Sequence, residues 1–221
     1  MALTEFQSNV LSLLADNRKN NSESYVAGGL ALNYKLGTPR ISRDIDVFHD
    51  SEAALSQSWV SDNALLAGST LHPLDLATNK LSALVGRTEV RDWIDVITCA
   101  RQIQPLAFLI SAACGKDPGF SPTSMLEHVA RRRHSQAEID AKIIPGGVYD
   151  VATLSRIWHE EIDRARETLR VFPREEAGKA VLTKDGELFR GTDKEFLTAL
   201  SAGEILFHEG RLFGAWPRIE K

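Results

Sequence analysis

Two glycines close one short apolar stretch, Val26-Ala27-Gly28-Gly29, and two carboxylates punctuate the next, Asp44-Ile45-Asp46-Val47-Phe48. Alternate residues of a β-strand project from the same face. Asp44 and Asp46 would therefore stand together, about 7 Å apart along the strand, with Ile45 and Val47 opposite. Such a pair suits a hard divalent cation, which takes oxygen ligands and shares its shell with substrate phosphates. Two cations held this way clamp the attacking and leaving oxygens of an in-line phosphoryl displacement. The glycines let a phosphate approach the backbone closely. Taken singly, Gly-Gly reads as a turn and Asp-x-Asp as a solvated strand end. The constraint lies in their order: apolar strand, Gly-Gly, amphipathic helix, turn, then carboxylates in an apolar run.

Around this feature the chain reads as alternating helices and short strands. Helices are expected over Thr4–Asn17, Leu30–Lys35 (stopped by Gly37), Ser51–Trp59, Leu76–Val85 after a start at His72-Pro73, Val90–Ala100 and Pro105–Cys114. Their apolar residues recur at helical spacing. Strands are expected at Ser24–Ala27, Ile41–Phe48 and within Ala64–Leu71. Ser121-Pro122 starts a helix running to about His134, with Ser124 and Glu127 as an alternative capping box. Asp150–Phe172 is a long amphipathic helix. Two hairpin-type turns, Lys184-Asp185-Gly186-Glu187 and His208-Glu209-Gly210-Arg211, follow it. This divides the chain into a core over 1–100, a helical region over 101–175 and a short β-rich appendage over 176–221.

The 221 residues fit one large domain or a core with an appendage. A 43% apolar share and a 25% charged share belong to an ordinary globular protein. No apolar run approaches the roughly 20 residues of a membrane span, and the first residues lack the basic and apolar regions of a secretory signal. Cys99 and Cys114 show no metal-like spacing, as expected for a reducing cytosol. With a net charge of −4 the whole chain is no general nucleic-acid binder. A polyanion would need a local patch, and Arg131-Arg132-Arg133-His134 is the densest basic run. It suits an RNA backbone and equally a helix end where cations complement the dipole. Arg164, Arg166 and Arg170 alternate with acids as on a solvated face. His72, His128 and His159 lack a shared zinc spacing. Trp158 and Trp216 read as packing residues.

A second constellation follows. Lys80 lies within an apolar helix, and Arg87 is two turns further on the same side. Lys80 either snorkels to solvent or neutralises a triphosphate. Asp92 and Asp95 are three residues apart and share a helix face, opposite the apolar stripe. Arg91 with Asp95 forms a plausible i, i+4 ion pair.

Val-Ala-Gly-Gly-Leu-Ala-Leu, Arg40-Ile-Ser-Arg-Asp-Ile-Asp, Asn-Lys-Leu-Ser-Ala-Leu and Arg-Asp-Trp-Ile-Asp-Val occur in that order. In these motifs the chain resembles the AbiEii/AbiGii-type nucleotidyltransferase toxins, a family of the polymerase-β-like nucleotidyltransferase superfamily related to the MenT toxins. The resemblance covers about residues 20–100, with weaker similarity at Asp117-Pro-Gly-Phe120 and Gly214-Ala-Trp-Pro-Arg218. It implies an α/β (α+β) protein with a nucleotidyltransferase-fold mixed sheet flanked by helices and a mostly helical C-terminal half. It implies transfer of an NMP from an NTP, with Mg²⁺ or Mn²⁺, to an acceptor hydroxyl, RNA such as a tRNA end. Asp44 and Asp46 match the metal-binding and catalytic pair, Lys80 the family lysine, and Asp95, ahead of Asp92, the downstream acidic position. Gly28 and Gly29 match the phosphate-side turn. Some relatives pair with an antitoxin repressor, so a cognate antitoxin is an expected partner, in the cytoplasm. Many nucleotidyltransferases carry Gly-Ser where this chain has Gly28-Gly29-Leu30. Phosphate gripping then falls to backbone N–H groups helped by Ser42, with Lys80 and Arg87 completing the nucleotide-binding set. The gap from Gly29 to Asp44 is also longer than in the compact polymerase-like pattern. The other readings are a catalytically silent nucleotidyltransferase-fold binding partner and a kinase-like phosphoryl transferase using the same site.

Overall fold

The computed structural model describes residues 3–21, 24–42, 44–49, 60–62, 69–117, 119–143 and 149–209. It is a helix-rich α+β protein. The elements that build the site come first: α1 (Glu5–Asn21), β1 (Ser24–Ala27), α2 (Gly28–Leu36), β2 (Asp46–His49), β3 (Val60–Asp62) and β4 (Ser69–Leu71). Helices α3 (Pro73–Gly86), α4 (Val90–Gln102) and α5 (Leu106–Cys114) follow. The remainder is α6 (Pro122–Ala130), α7 (Gln136–Lys142), α8 (Val151–Val171), a 3-10 turn (Arg174–Glu176), β5 (Lys179–Thr183), α9 (Asp193–Ser201) and β6 (Ile205–Glu209).

The first four strands form a mixed sheet in the order β2-β1-β4-β3. β1 runs antiparallel to β2, with Ala27 opposite Asp46, and parallel to β4. β3 and β4 are antiparallel. Strand β2 begins only at Asp46, so of the expected strand over Ile41–Phe48 the part before Asp46 is not in the ladder. The alternation survives nonetheless: Asp44 and Asp46 are exposed, whereas Ile45 between them packs against the core. The expected helix over Ser51–Trp59 lies outside the described residues, as do the Gly214–Arg218 motif and Gly210-Arg211 of the second turn.

Helix starts follow capping chemistry. The His72 ring nitrogen accepts the Leu74 N–H at 3.2 Å ahead of Pro73. Gly37, at φ 61°, closes α2 in the left-handed region. Ser121 caps α6 in a reciprocal box with Ser124, which settles the cap on Ser121 and not on Ser124 with Glu127. That helix ends at Ala130, short of His134. A second capping box, Ser135 with Glu138, then starts α7, a helix the apolar periodicity does not announce.

Helices α3, α4 and α5 carry the main apolar cluster, with Trp93 and Trp158 both 1% exposed. The rings of these two tryptophans meet edge to face at 6.4 Å. A second cluster gathers Phe108, Phe172, Val181, Phe189, Phe196 and Ile205, joining α5 to the C-terminal elements. The Lys184–Glu187 turn is present: the Gly186 N–H donates to Thr183 O at 2.9 Å and the Thr183 N–H to Glu187 O at 2.8 Å. Across it Leu188 bridges Leu182 in antiparallel fashion and the Phe189 N–H donates to Val181 O at 3.0 Å, as expected of a hairpin turn, while the full strand partner of β5 is β6, with α9 between them in the chain. The buried Gln104 amide donates to Val181 O (2.8 Å) and Phe189 O (3.0 Å), fastening this unit to the end of α4. Cys99 and Cys114 are buried and unbridged. No single helix among the described residues is long and apolar enough to cross a membrane.

Candidate active site

β1 delivers its glycines at the point where α2 begins. Gly28 has φ +67°, and a Cβ built on it would stand 1.7 Å from Asp46 Oδ2. Only glycine combines this backbone conformation with room for the carboxylate. The next residue is equally crowded by polar groups. A Cβ on Gly29 would meet Ser42 Oγ at 3.2 Å, Arg40 Nη2 at 3.4 Å and Lys80 Nζ at 3.5 Å. Ala27, the N-cap of α2, supplies no side-chain hydrogen bond, and the first turn holds no acid. The positive end of the helix dipole therefore meets neither a side-chain cap nor an acid of its own first turn.

Lys80 and its companions come from α3, α4 and the segment after α2. Lys80 Nζ stands 3.3 Å from Asp92 Oδ1 and 3.2 Å from Asp95 Oδ2. Its side chain is only 13% exposed, so it pairs instead of snorkelling. Arg40 Nη2 contacts both Asp95 oxygens, at 2.5 and 2.7 Å, and lies 3.4 Å from Asn33 Oδ1. Arg87 Nε donates to Asp92 Oδ2 at 2.7 Å. That hydrogen bond and the Asp92 charge hold the guanidinium firmly protonated, and Asp46 adds to the same field. Three cations thus surround two carboxylates, in the same neighbourhood as the Asp46 that faces Gly28.

Asp92 and Asp95 are 1% and 2% exposed. The expected polar face of α4 is therefore a buried one, kept polar by cations from other elements. Asp95 pairs with Arg40 and Lys80, in place of the expected i, i+4 bond to Arg91. With both its oxygens committed to cations, Asp95 serves to position Arg40 and Lys80. Arg40 was visible in the sequence only as part of a motif. No local pattern linked it to Asp95, 55 residues away. Tyr149, also unforeseen, sits close enough for Arg40 and Asp95 to act on its phenol. Burial pushes that phenol above its ordinary range, Arg40 opposes and Asp95 reinforces.

The residues fit a polyphosphate and a divalent cation. Arg40 Nε and Asn33 Nδ2 are buried with no hydrogen-bond partner among the described residues, which leaves N–H donors beside Gly29 for an anion. Asp44 and Asp46 are exposed oxygen donors two residues apart. Among the described residues no three His, Cys, Asp or Glu side chains cluster as metal ligands. The cation would then rest on this pair, with phosphate and water filling its shell.

The basic run has a different fate. Arg132 donates to Val85 O at 2.7 Å and to Thr88 Oγ1 at 3.0 Å. His134 lies against Trp93, ring centroids 5.2 Å apart. Only Arg131 and Arg133 are left exposed, so the run is no continuous polyanion surface. Arg164, Arg166 and Arg170 do pair with neighbouring acids on α8. Compared with protein-family models, with curated proteins and with solved structures, the chain has no significant match.

Proposed function

We propose that this chain is a nucleotidyltransferase that moves an NMP from an NTP to an acceptor hydroxyl, with Mg²⁺ or Mn²⁺ held by Asp44 and Asp46. The observation that carries the reading is the Gly28–Asp46 approach, with Arg40, Lys80 and Ser42 converging over Gly29. The mixed sheet supports it, because β1 runs into Gly28-Gly29 at the start of α2 and its neighbour β2 begins at Asp46, as does the four-motif resemblance to AbiEii/AbiGii-type toxins. By that resemblance the acceptor is RNA such as a tRNA end, and the biological setting is a toxin with a cognate antitoxin.

In this reading the α2 N–H groups, the Ser42 hydroxyl and Lys80 bind the triphosphate, and Arg87 extends the cationic row towards Asp46. Asp44 and Asp46 would hold the divalent ion, which would supply Lewis-acid stabilisation of the charge developing at the reacting phosphorus. The acceptor oxygen forms a bond to the α-phosphorus while the α–β bridging bond breaks and pyrophosphate departs. A carboxylate of the pair accepts the hydroxyl proton. Asp92 and Asp95 act through Lys80, Arg87 and Arg40 and touch no substrate atom. Preorganised charge of this kind is the main lever an enzyme has on phosphoryl transfer.

The test uses the purified chain with Mg²⁺, each NTP labelled at the α-phosphate, and total RNA. Label entering RNA with the intact chain, and lost in Asp44→Ala/Asp46→Ala, supports the proposal. Transfer of γ-label to protein would replace it with the kinase reading. NTP binding without label in RNA or protein would point to another acceptor, and no NTP binding at all would leave the silent binding partner.

A further inference from the structure

A cleft of about 1030 Å³ lies between α5 and α6 on one side and α8 with the 3-10 turn on the other. It shares no residue with the site above. Its floor is the seam between the two apolar clusters. Leu126 belongs to the first and Phe172 to the second, and Leu169 packs against both. Leu126 and Phe172 are 2% and 7% exposed, so the floor is held rigidly. Along the opposite rim stand Arg166, Arg170 and Arg174. Arg166 and Arg170 are four residues apart on one helix face, and Arg174, past the end of α8, lines the same cleft.

These guanidinium groups are available. Arg174 makes no ion pair with any described residue. Arg170 pairs with Glu167 at 2.7 Å and Arg166 with Asp163 at 3.0 Å, all four side chains being substantially exposed. Exposed pairs of this sort are weak, because solvent screens them, and yield to a better anion. Arg166 also reaches Glu127 across the cleft at 3.3 Å. Glu127 is the only acid in the lining, against three arginines, and the acids paired with Arg166 and Arg170 on α8, Asp163 and Glu167, lie outside it. The Cys114 thiol at the margin is pushed up to about 12 by burial and then by Asp117. It is therefore a packing group and no nucleophile.

An apolar floor beneath a row of planar, bidentate cations is complementary to one chemical class. We infer that this cleft binds a small amphipathic organic anion, its apolar body on Leu126, Leu169 and Phe172 and its phosphate or carboxylate head on Arg166, Arg170 and Arg174. An apolar ligand would leave the arginine row unused, and a bare anion would leave the floor wet.

The experiment is calorimetric titration of the full chain, at low ionic strength, with octyl phosphate and octanoate below their micellar concentrations, and with inorganic phosphate and 1-octanol as half-ligands. Saturable one-to-one binding of octyl phosphate or octanoate, at least tenfold tighter than either half-ligand, is expected. The preferred head tells phosphate from carboxylate. Arg166→Gln/Arg170→Gln/Arg174→Gln should weaken it at least tenfold with far-UV circular dichroism and the unfolding midpoint unchanged. Asp44→Ala/Asp46→Ala should leave it intact. Failure of both amphiphiles to saturate, equal binding by 1-octanol, or full binding by the arginine variant would overturn the inference. So would loss of binding in the Asp44/Asp46 variant, which would move the ligand to the other site.

Discussion

Replacing Asp95 by alanine should unfold much of what the site depends on. Arg40 is 3% exposed, and its Nη2 gives both short contacts to Asp95, at 2.5 and 2.7 Å. Without Asp95 a guanidinium stays buried with, among the described residues, only a 3.4 Å contact to Asn33. Breaking a buried pair from one side costs about 3–5 kcal/mol, a large part of the 5–15 kcal/mol that typically holds a domain folded. Asp92 offers an internal comparison. Its partner Arg87 is 61% exposed and can turn to water, while Lys80 keeps Asp95. Asp92→Ala should therefore cost only about 1–2 kcal/mol. Removing both ends of the buried pair, as Arg40→Met/Asp95→Leu, replaces it by apolar packing and should lie within about 2 kcal/mol of the parent. Urea unfolding of the parent, Arg40→Met, Asp95→Leu and the double variant, followed by tryptophan fluorescence, gives the coupling energy directly, with Asp95→Ala and Asp92→Ala measured alongside. A cost below about 1 kcal/mol for Asp95→Ala, or strictly additive singles, would refute the argument that cations fix this carboxylate.

Three further outcomes follow from other contacts. Gly28→Ala must take up φ +67°, costing about 1–2 kcal/mol, and its Cβ would drive the exposed Asp46 carboxylate aside. Nucleotidyl transfer should then fall about 100-fold or more with only that modest loss of stability, and unchanged transfer would exclude Asp46 from the reaction. The His72 ring is pulled down to about 3, chiefly by burial and then by Lys35, so it stays neutral in the folded state. The unfolded imidazole takes up a proton near pH 6.5, so stability is full above that pH and is lost as pH falls towards 3, by about 1.4 kcal/mol per unit. His72→Asn keeps an acceptor for the Leu74 N–H and should flatten that slope in urea melts between about pH 5 and about pH 7. Gln104→Leu strips the donor from two buried carbonyls. It should cost about 1–3 kcal/mol and speed amide exchange in β5 and β6 most.

The sequence made the Gly-Gly strand, α2 and its Gly37 stop, and the exposure of Asp44 and Asp46 legible, because these rest on local periodicity and turn chemistry. The burial of Asp92 and Asp95 was not legible. On a helix wheel two acids three residues apart look solvated, and what buries them is charge brought from Arg40, Lys80 and Arg87 on other elements. Helices α7 and α9 were missed although their starts are written plainly: Ser135 with Glu138 and Thr192 with Glu195 are both capping boxes. Their apolar stripes are thin, with only Ile139 and Phe196 buried, so a search for periodicity passes over them. The basic run misled for the converse reason. Charge density along a chain does not reveal that Arg132 is spent on a helix C-terminus and His134 on a tryptophan ring.

From Asp92 to Ile97 every residue of α4 is buried. A helix dry on all sides cannot roll about its axis, since any rotation would drag Trp93 off Trp158 or a carboxylate into hydrocarbon. Its two acids are therefore set as in a casting, and only the tips of Lys80 and Arg87 retain play. A nucleotide arriving over Gly29 would find the electrostatic floor laid and would have little left to freeze. Its binding entropy should carry the signature of released water and counterions, with scarcely any contribution from ordering the chain.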